Sequence, residues 1–286
     1  MNIDDLLKHI ESLGGLANVK MDTIGYSTFG RPIYAFFVGN TTGVQVLMEG
    51  GIHAREYLST LFLLEEIKYL ADQYSNGGFD GGFYIVPLVN PDGVALVLDG
   101  DISVTCDIQK QILNLINGGN DFSLWKANGL GVDLIVNFDA EWGTGVQNVK
   151  CPSSGNFVGF YPESEREVAV LINFAKSISF DCSLSWHTKG EVIYYGFDTL
   201  SPQSLARDYA FAKGLSVVNG YQVVKSEGSV GGFSDWVSLN YDVPAVTIEL
   251  GSASLSHPLG LEILPSVFEK NKKVPLKALG SIQKTT

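Results

Sequence analysis

Between residues 43 and 251, short apolar runs rich in β-branched residues alternate with longer runs of helical periodicity. Buried strands are predicted for "GVQVLMEGG", "FYIVPLVNPDG" and "VPAVTIELGS", and a helix for "EYLSTLFLLEEIKYLADQY". Strands that alternate with helices indicate an α/β layer fold with a mostly parallel or mixed sheet. We therefore expect a single α/β domain over residues 1–286, with a mixed central β-sheet flanked by helices.

Composition excludes several classes of protein. Hydrophobic residues make up 45% of the 286 residues, which is enough for a large core. The formal net charge of −12 would repel a polyanion, so no nucleic-acid partner is expected. No run approaches the roughly 18 apolar residues of a membrane span. The acidic N-terminal stretch predicts an amphipathic helix, and the three cysteines do not suggest a disulfide framework, so we expect a cytoplasmic protein of undetermined oligomeric state.

Polar residues follow several of the predicted strands at the point where each strand ends. They are His53, the Asn90-Pro91-Asp92 turn, His187 and Glu249. In open α/β sheets, ligands bind outside the strand ends. Four separate segments are therefore expected to deliver polar groups to one edge of one sheet.

Three of the polar residues have the chemistry of a zinc site. Catalytic zinc takes three protein ligands from histidine nitrogens and carboxylate oxygens, and a fourth position stays open. His53 and Glu56, three residues apart at a loop–helix junction, can converge on one ion. His187 is the best third ligand, because His9 lies in the N-terminal helix and His257 lies past the last strand.

Each of these residues also has an ordinary interpretation when it is considered alone. His53 and Glu56 could simply begin a helix, and His187 could be a structural histidine. Glu249 ends the apolar run "AVTIEL", where an unpaired buried carboxylate is costly. Either a buried salt bridge or a role beside a metal site would account for it.

The order of several short motifs narrows these alternatives. It runs "GGIHAREYLS", "VPLVNPDGV", "WKANGLGVDLIVNF", "SWHTKGEVIYYG", "GGFSDW" and "TIELGS". Together these motifs resemble the zinc metallocarboxypeptidase family, which includes the pancreatic carboxypeptidases, from about Gly43 to Gly251. "HTKGEVIYY" and "GGFSDW" are most similar to its bacterial branch, the γ-D-glutamyl–diaminopimelate peptidases and murein peptide amidases.

The resemblance implies one Zn²⁺ per chain, held by His53, Glu56 and His187. It implies that Glu249 is the general base that takes a proton from the attacking water. Asp133, in "GVDL", matches the acid that orients the first zinc histidine. The implied activity is hydrolysis of peptide bonds, with the γ-D-glutamyl–diaminopimelate bond of peptidoglycan stem peptides as the expected target. Ordinary peptides, cleaved by a metallocarboxypeptidase, are the alternative substrates.

One segment departs from the family pattern. The bacterial branch reads roughly "WKANARGVDLNRNF", whereas this chain has "WKANGLGVDLIVNF". Leu130 stands where the family has the arginine that steadies the oxyanion. Ile135 and Val136 stand where an Asn-Arg pair grips the terminal carboxylate of the substrate. Aliphatic side chains offer a carboxylate no hydrogen bond, so this recognition cannot be carried over.

Three explanations for this departure stay open. Positive charge could come instead from Arg55, Lys126 or Lys189. The enzyme could be an endopeptidase that needs no free terminal carboxylate. The chain could also be a zinc-binding pseudoenzyme that recognises peptides, although the presence of Glu249 argues against that reading.

Two further positions bear on specificity. Counting back from Glu249 places Glu227 near the position of the family's mobile tyrosine, and a change in loop length would instead bring Tyr221 or Tyr241 there. Ser234, in "GGFSDW", is expected near the pocket for the leaving-side residue. A small polar residue at that position suits a polar side chain such as that of diaminopimelate.

Overall fold

An eight-stranded mixed sheet forms the centre of the protein, whose computed structural model describes residues 1–282. The strands are β1 (Val19–Tyr26), β2 (Pro32–Gly39), β3 (Val44–Gly50), β4 (Gly81–Val86), β5 (Cys182–Thr188), β6 (Val192–Tyr195), β7 (Gln222–Lys225) and β8 (Ala245–Leu250). Their order in the sheet is β1-β2-β4-β3-β5-β8-β6-β7. The predicted strands that end before His53, after His187 and at Glu249 are all present.

The four central strands, β4, β3, β5 and β8, are parallel to one another. On one side β1 and β2 form an antiparallel extension, and on the other β6 runs antiparallel to β8 and parallel to β7. Because the central strands are parallel, the residues at their carboxyl ends meet at one edge. This edge carries the candidate site.

Nine α-helices in the described residues cover the sheet. They are α1 (Ile3–Ser12), α2 (Leu58–Ser75), α3 (Pro91–Asp99), α4 (Asp107–Asn117), α5 (Arg166–Ser177), α6 (Pro202–Asn219), α7 (Phe233–Asn240), α8 (Leu264–Asn271) and α9 (Val274–Ser281). None of these helices has both the length and the apolar character needed to cross a bilayer.

Alternating residues of the strands feed two separate cores. On β3, Val46 and Met48 belong to one hydrophobic cluster, to which α2, α8 and α9 contribute, and Leu47 belongs to a second cluster with α5 and α7. Successive strand side chains point to opposite faces, so these central strands are apolar on both. The observed architecture confirms the predicted α/β fold with a mixed sheet between helical layers.

Candidate active site

The turn after β3 places His53 and Glu56 side by side. Gly51 has a φ of +62° and turns the chain where a Cβ atom would lie 2.3 Å from the Thr60 hydroxyl, so glycine suits this position. A 3₁₀ turn, Ala54–Glu56, then follows. It brings Oε1 of Glu56 to 2.9 Å from Nδ1 of His53.

His187 reaches the same point from β5. Its Nδ1 lies 3.2 Å from Nδ1 of His53 and 3.2 Å from Oε2 of Glu56. One ligand atom from each of the three buried residues lies within 4.8 Å of the other two. Two imidazole nitrogens and a carboxylate that face one point form the donor set of a catalytic zinc site and leave room for a fourth ligand. The residues present therefore fit zinc.

The Glu56 carboxylate and His187 shift each other's pKa values. Burial alone would raise the pKa of Glu56, but His53 and His187 hold it well below its usual range. Burial lowers the pKa of His187, and the contact with Glu56 outweighs burial and raises it to about 9. The carboxylate of Glu56 is thus ionised and ready to bind a cation.

Asp133 contacts the ring nitrogen of His53 that does not face Glu56. Its Oδ1 lies 3.3 Å from Nε2 of His53, and its Oδ2 lies 2.7 Å from Nζ of Lys126 and accepts a hydrogen bond from the Asn156 amide. Burial would raise the pKa of Asp133, but Lys126 and His53 hold it well below its usual range. With Nε2 facing Asp133, Nδ1 of His53 is left to face the ligand cluster.

Glu249 lies beside the cluster on β8, directly across the sheet from His187. Its Oε2 is shielded from solvent and has no hydrogen-bond partner among the described residues. Burial, followed by the negative charge of Glu56, raises the pKa of Glu249 to about 7. A carboxylate with that pKa can accept and return a proton near neutral pH.

These residues open into a cavity of about 450 Å³. The three predicted ligands and Glu249 line it, and so do all four residues expected to contact substrate, Arg55, Lys126, Lys189 and Ser234. The cavity size falls within the usual range for a small-molecule site. The structure thus brings the predicted site residues together.

The contacts of the four expected substrate residues differ. Lys126 pairs with Asp133, and the Lys189 ammonium donates to the carbonyl oxygen of Ala253 at 2.6 Å. Within the described residues, the one hydrogen bond of the Arg55 side chain is a long one, 3.4 Å, to the carbonyl of Leu124. Arg55 therefore has the weakest contact among the three cationic residues. The Ser234 hydroxyl shares a 2.8 Å hydrogen bond with Thr247.

The three aliphatic positions of this segment lie differently relative to the cavity. Ile135 lines it. Val136 is buried and its backbone packs against Gly231, while Leu130 does not line the cavity. The cavity wall at Ile135 is apolar where the family pattern has an asparagine.

Neither alternative tyrosine reaches the site. Tyr221 is buried and its hydroxyl accepts a hydrogen bond from Asn271, and Tyr241 packs against Phe180 and Trp236. Glu227, the residue that the ungapped count places near this position, lines the cavity. Sequence reasoning missed Tyr194 of β6, which also lines the cavity and pairs across the sheet with Thr247. Its place on a short strand just after His187 is the signal that could have revealed it.

The structure does not bring Asn90 and Asp92 into the cavity, although they follow a central strand. The Asn90 side chain caps α3 and donates to the carbonyls of Ile52 and Ala127. Asp92 pairs with Arg31. Asn90 thereby secures the backbone next to His53. His257, the weaker ligand candidate, lines the cavity but lies outside the ligand cluster.

Comparison with known proteins places this geometry in a family. The profile described as zinc carboxypeptidase matches residues 15–263. The chain belongs to the zinc carboxypeptidase family. The family is one of zinc-dependent metallopeptidases, and the clustering of His53, Glu56 and His187 agrees with that dependence.

Two curated relatives are similar over most of the chain. Gamma-D-glutamyl-L-diamino acid endopeptidase 1 of Lysinibacillus sphaericus is 29% identical over 259 residues, which cover 86% of this chain and 64% of the relative. The chain thus spans somewhat less than two thirds of that relative. The uncharacterized protein YqgT of Bacillus subtilis (strain 168) is 32% identical over 272 residues, covering 90% of this chain and 70% of YqgT.

Solved structures share the zinc carboxypeptidase fold. Bovine thrombin-activatable fibrinolysis inhibitor, in complex with tick carboxypeptidase inhibitor, superposes with a TM-score of 0.79 at 20% identity, covering 98% of this chain and 96% of that one. Murein-tripeptide amidase MpaA from Escherichia coli O157 has a TM-score of 0.58 at 20% identity, with 93% of each chain covered. At these identities the likeness establishes the fold alone.

Proposed function

We propose that this zinc peptidase hydrolyses the γ-D-glutamyl–diaminopimelate bond of peptidoglycan stem peptides. The observation that carries the catalytic part is the placement of Glu249, whose free carboxyl oxygen lies beside the His53–Glu56–His187 cluster in one cavity. The relative from Lysinibacillus sphaericus, whose name specifies a γ-D-glutamyl–diamino acid bond, supports the choice of substrate.

In this proposal each residue has one task. His53, Glu56 and His187 hold the zinc, and Asp133 keeps Nδ1 of His53 turned toward it. Zinc, when bound, polarises the scissile carbonyl and makes water more acidic. Glu249 accepts the proton of the attacking water on a carboxyl oxygen and passes it to the leaving amine.

The apolar wall at Ile135 supports cleavage that needs no free carboxylate on the leaving residue. Burying a carboxylate against an aliphatic side chain costs several kcal/mol unless another group binds it. Substrates whose leaving residue is amidated or followed by another residue avoid that cost. We therefore propose an endopeptidase mode, in which the enzyme tolerates chain beyond the scissile bond.

A substrate panel read by mass spectrometry tests the proposal. It contains L-Ala-γ-D-Glu-diaminopimelate, the same peptide with a further D-Ala, its amidated form, and an ordinary α-linked peptide. Zinc-loaded wild type should cleave the γ-D-glutamyl bond of the extended and amidated peptides at least as fast as that of the free acid. Glu249→Gln should retain zinc and lose activity.

Other outcomes would replace the proposal. Cleavage of the α-linked peptide alone, with loss of its terminal residue, would indicate a metallocarboxypeptidase of ordinary peptides. Zinc binding without turnover of any peptide would indicate a binding protein.

We also propose a cytoplasmic location. The support is that Cys106, Cys151 and Cys182 are all free thiols, two of them exposed, which suits a reducing compartment. Fractionation of the source cells with an antibody against the chain would test this, and recovery in the extracytoplasmic fraction would contradict it.

A further inference from the structure

Four carboxylates line the cavity, and Glu227 is the exposed one among them. Glu56 contacts the two histidines, and Glu249 lies beside them. Asp235 accepts a hydrogen bond from the Gly232 amide at the start of α7. Glu227, by contrast, is exposed and makes no hydrogen bond or ion pair within residues 1–282. Its neighbour in sequence, Lys225, is paired with Asp198 instead.

The backbone that carries Glu227 is nevertheless held in place. The Ser226 amide donates to the Tyr195 carbonyl at 3.1 Å, and the Gly228 carbonyl accepts from the Val146 amide at 2.9 Å. Further along, the Gly231 carbonyl accepts from the Phe138 amide at 3.2 Å. These three bonds tie the loop 226–232 to three separate segments. The carboxylate therefore extends from an anchored loop at the rim of the cavity.

The cationic groups of the cavity are engaged elsewhere. Lys126 pairs with Asp133 and Lys189 with a backbone carbonyl. Arg55 donates a long hydrogen bond, 3.4 Å, to the carbonyl of Leu124. Within the described residues Glu227 makes no ion pair, although it lies close enough to Lys225 for the two charges to affect each other.

The surfaces that line the cavity together with Glu227 suit a particular kind of side chain. Ile135 contributes an apolar surface, and its Cδ1 approaches the Gly232 backbone at the end of the same loop. Ser226, Ser229 and Ser234 contribute hydroxyls. A methylene chain can lie on an aliphatic surface while a terminal ammonium reaches a carboxylate and hydroxyl acceptors.

We propose that Glu227 is a specificity residue that binds the side-chain ammonium of a diamino acid on the leaving side of the scissile bond. This inference rests on the proposed γ-D-glutamyl–diamino acid cleavage and extends it to a named contact. A carboxylate and an ammonium form a charge-assisted hydrogen bond.

The test uses two substrates that differ only in the ammonium group. L-Ala-γ-D-Glu-L-Lys-amide carries it, and the Nε-acetyl-lysine analogue does not. Because the pair is exposed, we expect wild type to prefer the free ammonium by about threefold to tenfold in kcat/KM, mainly through KM. Glu227→Gln should abolish this preference. Glu227→Lys should favour the acetylated substrate.

Glu262→Gln is the matched control. It makes the same substitution at an exposed glutamate that does not line the cavity. It should keep the wild-type preference. Equal kcat/KM for the two substrates in wild type would overturn the role of Glu227 and leave the γ-D-glutamyl activity standing. Failure of zinc-loaded wild type to cleave either γ-linked substrate would instead reject the proposed function, and the inference with it.

A binding measurement separates recognition from catalysis. Zinc-loaded Glu249→Gln, which should not turn over either peptide, is titrated with both by calorimetry. The free-ammonium peptide should bind about threefold to tenfold more tightly, and adding Glu227→Gln should remove the difference. Equal dissociation constants in the Glu249→Gln background would overturn the proposal.

Discussion

Nε2 of His53 lies 3.3 Å from Oδ1 of Asp133, and this contact decides which nitrogen of the imidazole faces the ligand cluster. Asp133 is buried, and Lys126 balances its charge at 2.7 Å. The position of Lys126, which lines the cavity, is thereby coupled to the orientation of the His53 imidazole. Lys126 accordingly has a structural task in addition to its place in the cavity wall.

Removing the charge of Asp133 should weaken zinc binding. In Asp133→Asn, the side chain can still accept a hydrogen bond, but it no longer makes the imidazole more basic. We expect about a 10- to 100-fold loss of zinc affinity, measured by competition with a chromogenic chelator. Asp121→Asn, an exposed position before the same segment, is the control and should bind zinc as wild type does. Unchanged affinity in Asp133→Asn would show that the contact does not support the metal.

Removing zinc should destabilise the folded protein. Without a cation, the carboxylates of Glu56 and Glu249 repel each other in a buried site. A ligand that binds only the folded state at about 1,000 times its dissociation constant adds about 4 kcal/mol, and chelation removes that stabilisation. Thermal unfolding with and without a chelator measures it. In His187→Ala, the chelator should lower the Tm much less than it does in wild type. An equal chelator-induced drop in the two proteins would show that the metal binds elsewhere.

Gly51 should tolerate no side chain, because its φ is positive and a Cβ would meet Thr60 at 2.3 Å. Gly77 has a similar φ of +69° but nothing within 4 Å of the added Cβ. Gly77→Ala should therefore lower the free energy of unfolding by about 1 kcal/mol, through backbone strain alone. Gly51→Ala should lower it by at least about 2 kcal/mol, because steric overlap adds to that strain. Urea unfolding compares the two, and zinc affinity should fall in Gly51→Ala alone. Equal costs would mean that the turn before His53 adjusts freely.

Glu167 should make stability depend on pH. Burial is the main cause that raises its pKa to about 7, and Asp92 and Glu165 add to it. The folded state then holds the proton more tightly than the unfolded state, in which the glutamate has a pKa of about 4.3. The tighter proton binding stabilises the folded state. This stabilisation is fully present below about pH 4 and is lost as the pH rises through 7, by at most about 1.4 kcal/mol per pH unit.

Glu167→Gln isolates this effect, because glutamine stays neutral at every pH. Urea unfolding at pH 5 and pH 8 should show wild type losing stability relative to the variant at the higher pH. Parallel pH profiles of wild type and Glu167→Gln would mean that the buried carboxyl titrates normally.

Features that depend on local pattern could be predicted from the amino-acid sequence alone. Periodicity predicted the α/β fold, since apolar spacing differs between strands and helices. The spacing of His53 and Glu56 predicted that both could bind one ion, because three residues span a single turn. Glu249 was identifiable because a carboxylate that ends an apolar strand requires a reason to be there.

Tertiary structure decided the features that depend on distances between segments. The register of β5 against β8 sets His187 opposite Glu249, and loop packing sets Lys126 against Asp133. Tyr194 lies in the cavity and Tyr221 does not because strand order and helix packing, rather than nearness in sequence, determine which side chains meet. Periodicity constrains how a segment folds but not which segment lies beside it, so the surroundings of the substrate emerge only from the assembled sheet.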